Sequence, residues 1–420
     1  MSGQAGPRPD VLIIGGGVIG LAIAWRAAQR GLQVSLADPA PGRGASYAAA
    51  GMLTPVSEAA YAERALFGLG QQSLNRYPAF AAELTAATGE PTGFRADGTL
   101  QVAYDHDDLA VLDEVAILRE SFGAPSRRLS ARECRAAEPM LDPSVRGGLL
   151  VPDDASVDPR LLTAALLVAV QRAGVAVIRQ PATQVLAAGG RAAGAELADG
   201  SRVRAPSVVL AAGWQSALIG GLPEAAALPV RPVKGQILRL RPTPATDRAG
   251  VPPGLVARTV RGVVHGFSVY LVPRNSGELV IGATQEELGS DTRVTAGGVW
   301  ELLRDARTLV PGITEFELAE AVAGLRPGTP DNAPILGPAQ LPGLVLATGH
   351  FRSGVLLAPV TADLIADYLA VDRISAGLAP FSPDRFSRRD RPPDPRHIAD
   401  PPPHQRHPVR PAEPNESARP

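Results

Sequence analysis

Residues 10–38 read DVLIIGGGVIGLAIAWRAAQRGLQVSLAD, a stretch that predicts a strand, a glycine-rich turn, a helix and a second strand ending in an acid. Val11–Ile14 is an apolar run, typical of a strand buried on both faces. We expect the helix over 19–30 and the second strand over 32–36. This order of elements around the pattern G-x-G-x-x-G is typical of a dinucleotide-binding unit.

Each glycine of the turn has an expected role. Gly15 permits the tight turn, Gly17 lets a pyrophosphate approach the backbone, and Gly20 lets the helix pack close to the strand. The N-terminal amides and the positive dipole end of the helix point at that phosphate. Asp38 follows the second strand, where its carboxylate can accept a hydrogen bond from a ribose hydroxyl. The pattern leaves FAD and NAD open, whereas the acid disfavours NADP because it would repel the 2′-phosphate.

Size and charge bound the class of protein. A chain of 420 residues with 45% hydrophobic content can hold two domains or one large discontinuous domain. Its formal net charge of −1 gives no field that would gather nucleic acid or an anionic membrane. No secretory signal and no run of eighteen uninterrupted apolar residues is visible, so we expect a soluble cytoplasmic protein without a membrane span.

Cysteine and histidine are too scarce for several kinds of site. Cys134 is the only cysteine, which excludes a disulfide framework and a Cys-rich metal site. We expect it to be an unreactive thiol on a surface helix. Three of the six histidines fall in the C-terminal tail, which argues against a multi-histidine metal centre, and we expect no metal.

Two further stretches indicate a ligand that lies along the backbone. Small residues dominate 42–52, GRGASYAAAGM, and would let a bulky planar ligand approach; the alternative is a small-residue helix packed on the sheet. The apolar strand expected at 344–347 runs into a second glycine turn and an apolar helix over 355–369. The amides of that helix could face the other end of the same ligand.

The predicted fold class is α/β: a Rossmann-like FAD-binding domain with a discontinuous α+β substrate domain built on an antiparallel sheet. Short β segments separated by Gly, Pro and Asn between 230 and 282 indicate that second sheet. A proline-rich tail, 389–420, has too few large apolar side chains to order itself. The expected ranges are 10–80, 145–227 and 320–386 for the FAD-binding domain, and 81–144 and 228–319 for the substrate domain.

Taken together, these segments resemble the D-amino-acid oxidase superfamily of flavoproteins, and within it the glycine oxidase family. The segments that carry the resemblance are VLIIGGGVIGLAIA from Val11, AAAGML from Ala48, LPVRPVKGQ from Leu228, YLVPRNSGELVIGAT from Tyr270, AGLRPGTPD from Ala323 and TGHFRSGVLLAP from Thr348. They extend over nearly all of the chain before the tail. The last three together are much more specific than the first, which many flavoproteins share.

The resemblance implies a non-covalent FAD cofactor, because the covalent relatives tether flavin through a cysteine in the C-terminal third and this chain has none there. With the glycine turn included, the expected cofactor residues are Gly15, Gly17, Val18, Ile19, Gly20, Asp38, Pro39, Ala45, Ser46, Ala50, Gly51, Met52, Thr183, His350, Phe351, Arg352, Ser353, Gly354, Val355 and Leu356.

The resemblance also implies three substrate residues. Arg326 matches an arginine that holds the substrate carboxylate in a bidentate manner, and Tyr270 matches a tyrosine whose hydroxyl reaches the same carboxylate. Arg352 matches an arginine at the flavin end of the pocket. Ser268 and Gln285 replace a histidine and a methionine that the family can carry, which leaves the preferred substrate size open.

The implied activity is oxidative deamination of glycine and other small amines or D-amino acids to the 2-oxo acid, ammonia and hydrogen peroxide. Flavin N5 is the implied hydride acceptor, so no catalytic side chain is assigned, and dioxygen is the second substrate. The imine could supply the thiazole of thiamine. Alternatives are a sarcosine, proline or D-amino-acid oxidase or dehydrogenase, a flavin domain acting on modified tRNA, and an FAD-binding protein without activity. No nucleic-acid partner is expected, because the body is near neutral, and the oligomeric state stays open, with a homo-oligomer as one option.

Overall fold

A computed structural model describes residues 8–124, 126–222, 228–244, 252, 254–264, 266–373 and 375–386. Its strands are β1 (Val11–Ile14), β2 (Val34–Ala37), β3 (Met52–Leu53), β4 (Thr99–Ala103), β5 (Arg127–Ser130), β6 (Gly147–Val151), β7 (Ala155–Ser156), β8 (Ala176–Ile178), β9 (Ala182–Ala188), β10 (Arg191–Leu197), β11 (Arg202–Arg204), β12 (Ser207–Leu210), β13 (Arg231–Arg241), β14 (Thr259–Val264), β15 (Phe267–Pro273), β16 (Leu279–Gly282), β17 (Glu317–Gly328), β18 (Ile335–Pro338) and β19 (Leu344–Thr348).

Helices connect these strands. The α-helices are α1 (Val18–Gln29), α2 (Ala45–Ala48), α3 (Arg64–Thr88), α4 (His106–Ser121), α5 (Ala131–Ala137), α6 (Pro159–Arg172), α7 (Ala296–Leu309) and α8 (Gly354–Val371). Short 3-10 helices cover Gly213–Leu218, Pro311–Glu315, Phe351–Ser353, Ala376–Phe381 and Pro383–Arg385.

Strand β1 lies inside a six-stranded sheet of order β18-β19-β12-β1-β2-β8. Its four residues are all buried, and both of its neighbours, β2 and β12, run parallel to it. The helices α1, α3, α6 and α8 pack on one another beside this sheet and share one apolar core with it. The dinucleotide-binding unit predicted from the glycine turn is therefore present, and the expected pairing of 207–210 beside the first strand is confirmed.

The second large sheet has eight strands in the order β17-β13-β16-β15-β14-β4-β6-β5. Its pairs are antiparallel except for β14 and β4, which run parallel. The antiparallel sheet predicted between 230 and 282 is present, and β4, from an earlier part of the chain, joins it in parallel beside β14. The physical reason is connectivity: more than 150 residues separate the two strands, so no hairpin forces them to be antiparallel.

One of the short β segments expected between 230 and 282 lies at 256–258, and these residues do not form a strand in the structure. The backbone amides of Ala257 and Arg258 instead donate to the carboxylate of Glu138, at 2.9 and 3.2 Å, and strand β14 begins only at Thr259. These two amides therefore bind a carboxylate from a distant part of the chain and do not pair with a neighbouring strand. The apolar residues at this position in the sequence did not indicate a contact with Glu138.

The predicted boundaries of the two domains do not follow the sheets. Strand β6 lies within 145–227 and β17 largely within 320–386, both expected to belong to the FAD-binding domain, yet both strands pair in the eight-stranded sheet. Contacts join the described residues up to Arg385 into one compact unit. The division into a cofactor and a substrate domain stays a prediction, and the tail 389–420 lies outside the described residues.

Cys134 and the apolar helix α8 are both buried inside the protein. Cys134 lies on α5 as expected, but it is fully buried, and burial raises the pKa of its thiol to about 11. Residues 351–371 are long and apolar enough to cross a membrane by length and composition alone. In the structure, α8 within that segment packs against α1 and α3, and ten of its residues are buried.

Candidate active site

A cavity of about 810 Å³ opens at the carboxyl ends of β1 and β12 and extends to the eight-stranded sheet. The carboxyl edge of a parallel sheet is where open α/β folds bind ligands. The predicted cofactor residues on its wall are Gly15, Gly17, Val18, Ile19, Asp38, Pro39, Ala45, Ser46, Ala50, Gly51, Met52, Thr183, His350, Phe351, Arg352, Gly354 and Val355. All three predicted substrate residues, Tyr270, Arg326 and Arg352, also line it.

Three predicted cofactor residues do not reach the cavity wall. Gly20 faces the turn, where an added Cβ would overlap the carbonyl oxygen of Gly15. That position agrees with the expected role of Gly20 in close packing. Ser353 and Leu356 line a separate, smaller cavity beside the N-terminal turn of α8, and the carbonyl of Leu356 accepts a hydrogen bond from Ser73 Oγ at 2.6 Å.

The glycine turn places donors and one acid at one end of the cavity. Helix α1 begins after Gly17, its N-cap residue, which has no side chain to cap the first turn. The Val18 amide donates to Ser46 Oγ at 3.0 Å, whereas the amides of Ile19 and Gly20 have no side-chain acceptor among the described residues. Asp38 accepts from the amides of Gly16, at 2.6 Å, and Ala40, at 2.7 Å. Each carboxylate oxygen has a second lone pair, so Asp38 can still accept from a ribose hydroxyl.

The second glycine turn brings another uncapped helix to the same cavity. Gly349 has a φ of +73°, and its added Cβ would contact Thr329, so only glycine fits there. Helix α8 then begins without a side-chain cap, and its first two residues line the cavity. His350 is buried beside it, with Nε2 3.2 Å from Thr361 Oγ1, and burial lowers the pKa of His350 to about 3. Its imidazole is therefore neutral at physiological pH.

These features fit FAD. Two helix N-termini whose N-cap residues supply no side-chain hydrogen bond face one cavity, and free N-terminal amides bind phosphate. Three alanines and one glycine over 48–51 keep the wall close to the backbone, as a planar ring requires. Among the described residues, no group of three or more His, Cys, Asp or Glu side chains is arranged to hold a metal ion.

Arg326 occupies the end of the cavity formed by the eight-stranded sheet. Its Nη1 donates to the carbonyls of Lys234, at 3.3 Å, and Thr284, at 3.2 Å. Its guanidinium lies against Gly235, where any Cβ would overlap it. In the described part of the chain, no carboxylate forms an ion pair with Arg326, although three arginines line this end of the cavity.

Tyr270 lies beside Arg326 on β15. The Tyr270 ring covers Gly282, where a Cβ would overlap it, and the charge of Arg326 acts on the Tyr270 hydroxyl. Burial raises the pKa of Tyr270, and the neighbouring Arg326 charge opposes that shift. The hydroxyl therefore keeps its proton at neutral pH and can donate to an anion. Ser268 and Gln285, the two departures noted in the sequence, also line the cavity.

Sequence reasoning missed two charged residues of this wall. Arg261 pairs in register with Tyr270 across β14 and β15, and its Nη1 donates to Glu58 Oε1 at 2.8 Å. The side chains of Arg261 and Glu58 are only 14% and 19% exposed, so little water screens the pair. The segment TVRGVV could have indicated Arg261, because a single charged residue there lies among the apolar residues of a strand.

Arg352 differs from Arg326 because carboxylates already neutralise it. Its Nη2 donates to Glu63 Oε2 at 2.5 Å, and its Nε lies 3.7 Å from Glu58 Oε2. Of the three guanidinium groups at this end, Arg261 and Arg352 have acidic partners, whereas Arg326 has only carbonyl partners among the described residues. The wall therefore carries about one uncompensated positive charge, located at Arg326.

Comparisons with known proteins agree with this geometry. Residues 10–368 match the family of FAD dependent oxidoreductases. The glycine oxidase of Geobacillus kaustophilus is 36% identical over 382 residues, which cover 89% of this chain and 96% of that protein. Its crystal structure superposes with a TM-score of 0.81 and 35% identity, over 90% of this chain and 99% of that one.

Two further relatives show how widely the likeness extends. The bifunctional protein ThiO/ThiG of Synechocystis is 36% identical over 387 residues, or 91% of this chain. This chain spans only 55% of that protein's length. The iminodiacetate oxidase of Chelativorans has a TM-score of 0.78 and 28% identity over 89% of this chain. The chain belongs to the FAD dependent oxidoreductase family and, within it, to the glycine oxidases.

Proposed function

We propose that this protein oxidises glycine, or another small amine that carries a carboxylate, with FAD as its non-covalent cofactor. The single observation that carries the proposal is Arg326, a guanidinium without an acidic partner among the described residues, which lines the cofactor cavity together with Tyr270. A charge-assisted, two-pronged contact to a carboxylate is what such a group binds best. One uncompensated positive charge matches one carboxylate on an otherwise neutral amine.

The chemistry balances with dioxygen as the second substrate. Glycine, dioxygen and water give glyoxylate, ammonia and hydrogen peroxide. FAD, when bound, supplies the two-electron oxidation of the carbon–nitrogen bond. The role of the protein is to hold the carboxylate at Arg326 and Tyr270, so that the substrate Cα stays aligned, and to exclude water from the cavity. The imine then hydrolyses in water.

A place in thiamine synthesis belongs to the same proposal. Its support is the likeness to ThiO/ThiG, of which this chain matches about half. The imine formed from glycine would be the compound passed on for assembly of the thiazole. A cytoplasmic location and a homo-oligomeric state also stay predictions.

A second candidate substrate class is an amine with two acidic groups. The observation that favours it is Arg261, which lines the same cavity and whose Nε is buried without a hydrogen-bond partner in the described structure. The 28% identical structural relative named iminodiacetate oxidase is compatible with such a substrate. Sarcosine and iminodiacetate form a matched pair, since a methyl group on nitrogen in one is a carboxymethyl group in the other.

The deciding experiment is anaerobic reduction of the bound flavin, followed at its visible absorbance band. Glycine, sarcosine, iminodiacetate, D-alanine and D-proline are compared, with methylamine as the control that lacks a carboxylate. We expect glycine to reduce the flavin and methylamine to fail at equal concentration, and we expect peroxide to accumulate under air. Equal rates for glycine and methylamine would contradict carboxylate recognition. Reduction without peroxide under air would indicate a dehydrogenase with another electron acceptor.

A further inference from the structure

Arg274 follows β15 directly, and its guanidinium is buried away from the cavity. Its Nη2 donates to the carbonyl of Ala50 at 2.6 Å, and its Nη1 donates to the carbonyl of Val157 at 2.9 Å. The amide of Val157 in turn donates to the carbonyl of Gly51 at 2.9 Å. Arg274 therefore joins the eight-stranded sheet to the backbone of the cavity wall through two hydrogen bonds.

The direction of one carbonyl determines the direction of the next amide. In a trans peptide, the C=O and the N–H point to opposite sides, and the bond between Ala50 and Gly51 is trans. Because Arg274 holds the Ala50 oxygen on the far side, the Gly51 N–H is turned towards the cavity, which Gly51 lines.

The Gly51 amide has no acceptor in the described structure. Gly51 is buried, and its N–H makes none of the hydrogen bonds found among the described residues. A buried N–H without an acceptor is costly, so it usually has a partner from outside the backbone ladder. Gly51 also has a φ of +77°, and its added Cβ would overlap Val157 and Pro159, so no other residue fits.

We propose that Arg274 is a positioning residue for the cofactor: by holding the carbonyls of Ala50 and Val157, it directs the Gly51 N–H at an acceptor atom of bound FAD. A planar guanidinium can serve two carbonyls at once, whereas an ammonium group cannot do so with the same geometry. Burial lowers the pKa of Arg274 to about 10, so the group remains charged at neutral pH. The inference rests on FAD binding and is independent of which amine is oxidised.

The test uses the holoenzyme and two substitutions, Arg274→Met and Arg274→Lys. FAD release after dilution is followed by the fluorescence of the free flavin, and the bound flavin is compared by its visible spectrum. We expect release to be roughly tenfold faster or more in Arg274→Met, with a shifted visible band, and an intermediate rate in Arg274→Lys.

Arg239→Met is the matched control. Arg239 is also buried in the eight-stranded sheet, but it pairs with Glu278 at 2.5 Å and does not line the cavity. A purely structural loss should lower the melting temperature of Arg239→Met and leave its FAD release and spectrum unchanged. If Arg274→Met folds with wild-type release and spectrum, the proposal is overturned.

A measurement on the wild type decides the matter even if both Arg274 variants fail to fold. A crystal structure of the holoenzyme should place the nitrogen of Gly51 within 3.5 Å of an FAD acceptor atom. A longer distance, or a Gly51 amide that donates to protein, would overturn the proposal.

Discussion

The carbonyl partners of Arg326 fix the position of its charge and leave that charge free to bind a ligand. The carbonyls of Lys234 and Thr284 fix its guanidinium through a single nitrogen, Nη1. Five N–H donors are available on the group, so most remain for a carboxylate. Arg352 has the same charge in the same cavity, but it already forms an ion pair with Glu63.

Replacing Arg326 by lysine should weaken glycine binding far more than FAD binding. Lysine keeps the charge but loses the planar pair of donors. A charge-assisted hydrogen bond contributes about 1.5–3 kcal/mol, so the apparent dissociation constant of glycine should rise roughly ten- to a hundred-fold. The measurement is the glycine dependence of anaerobic flavin reduction, with FAD occupancy determined in parallel.

Arg231→Lys provides the control for that change. Arg231 lies on β13 close to Arg326 in the sheet, but it is exposed, pairs with Glu287 and does not line the cavity. We expect its substitution to leave glycine binding unchanged. If flavin-replete Arg326→Lys binds glycine as the wild type does, Arg326 is not the carboxylate-binding residue, and Arg352 becomes the next candidate.

At the scale of the element, helix α1 depends on its closeness to β1. Gly20 lies in the first turn of the helix, directly against the carbonyl of Gly15. That contact brings the N-terminal amides of α1 to the cavity. A larger side chain would move the helix, and with it the expected phosphate site, away from the sheet.

Gly20→Ala should therefore lower both FAD occupancy and stability. We expect a loss of about 2 kcal/mol or more in the free energy of unfolding, since inserting a methyl group into a packed contact typically costs 1–3 kcal/mol. Gly68→Ala is the matched control, because Gly68 is also helical, in α3, and an added Cβ there meets no atom within 4 Å. The control should be neutral or stabilising by about 0.5–1 kcal/mol.

Flavin content per chain and melting temperature report the outcome of that comparison. Full FAD occupancy and an unchanged melting temperature in Gly20→Ala would show that the turn tolerates a wider separation between helix and strand.

At the scale of the whole molecule, His350 links stability to pH. Burial lowers the pKa of His350 to about 3 in the folded state, against 6.5 for the ordinary side chain. Between these values the unfolded chain binds a proton that the folded chain does not, so stability falls as the pH falls below 6.5. The slope is about 1.4 kcal/mol per pH unit for a single group.

His350→Gln should remove this contribution. Between pH 7 and pH 5, the wild type should lose about 2 kcal/mol more unfolding free energy than the variant. Melting temperatures at both pH values, measured with FAD content confirmed at each, provide the test. Parallel curves for the two proteins would mean that His350 is protonated as easily when folded as when unfolded.

The proline-rich segment 389–420, which lies outside the described residues, should matter little to the body. Its composition has few large apolar side chains, so it can bury little surface. We expect truncation after Arg388 to change the melting temperature and the flavin content by less than the error of the measurement. A large fall in either would show that the tail binds to the body.

The structure of residues 10–38 could be predicted from the sequence because each signal depends only on neighbouring residues. Glycine is required where φ is positive or where backbones touch, and apolar runs form buried strands, so Gly15, Gly20 and Val11–Ile14 could be identified from consecutive residues. The family resemblance added Tyr270 and Arg326, which the structure then brings into one cavity.

Contacts between distant segments had no comparable signal. Glu58 and Arg261 are 203 positions apart, and Ala50 and Arg274 are 224 apart, so only the pairing of the sheets brings each pair together. The same holds for Glu138, whose carboxylate binds the amides that precede β14. The sequence itself gives the charge of a residue and indicates the face of the strand on which it lies. Its ionic and hydrogen-bond partners, however, depend on which strand lies next to it. For that reason the sequence predicted the cofactor turn, while the charge balance of the substrate end became visible only in the folded chain.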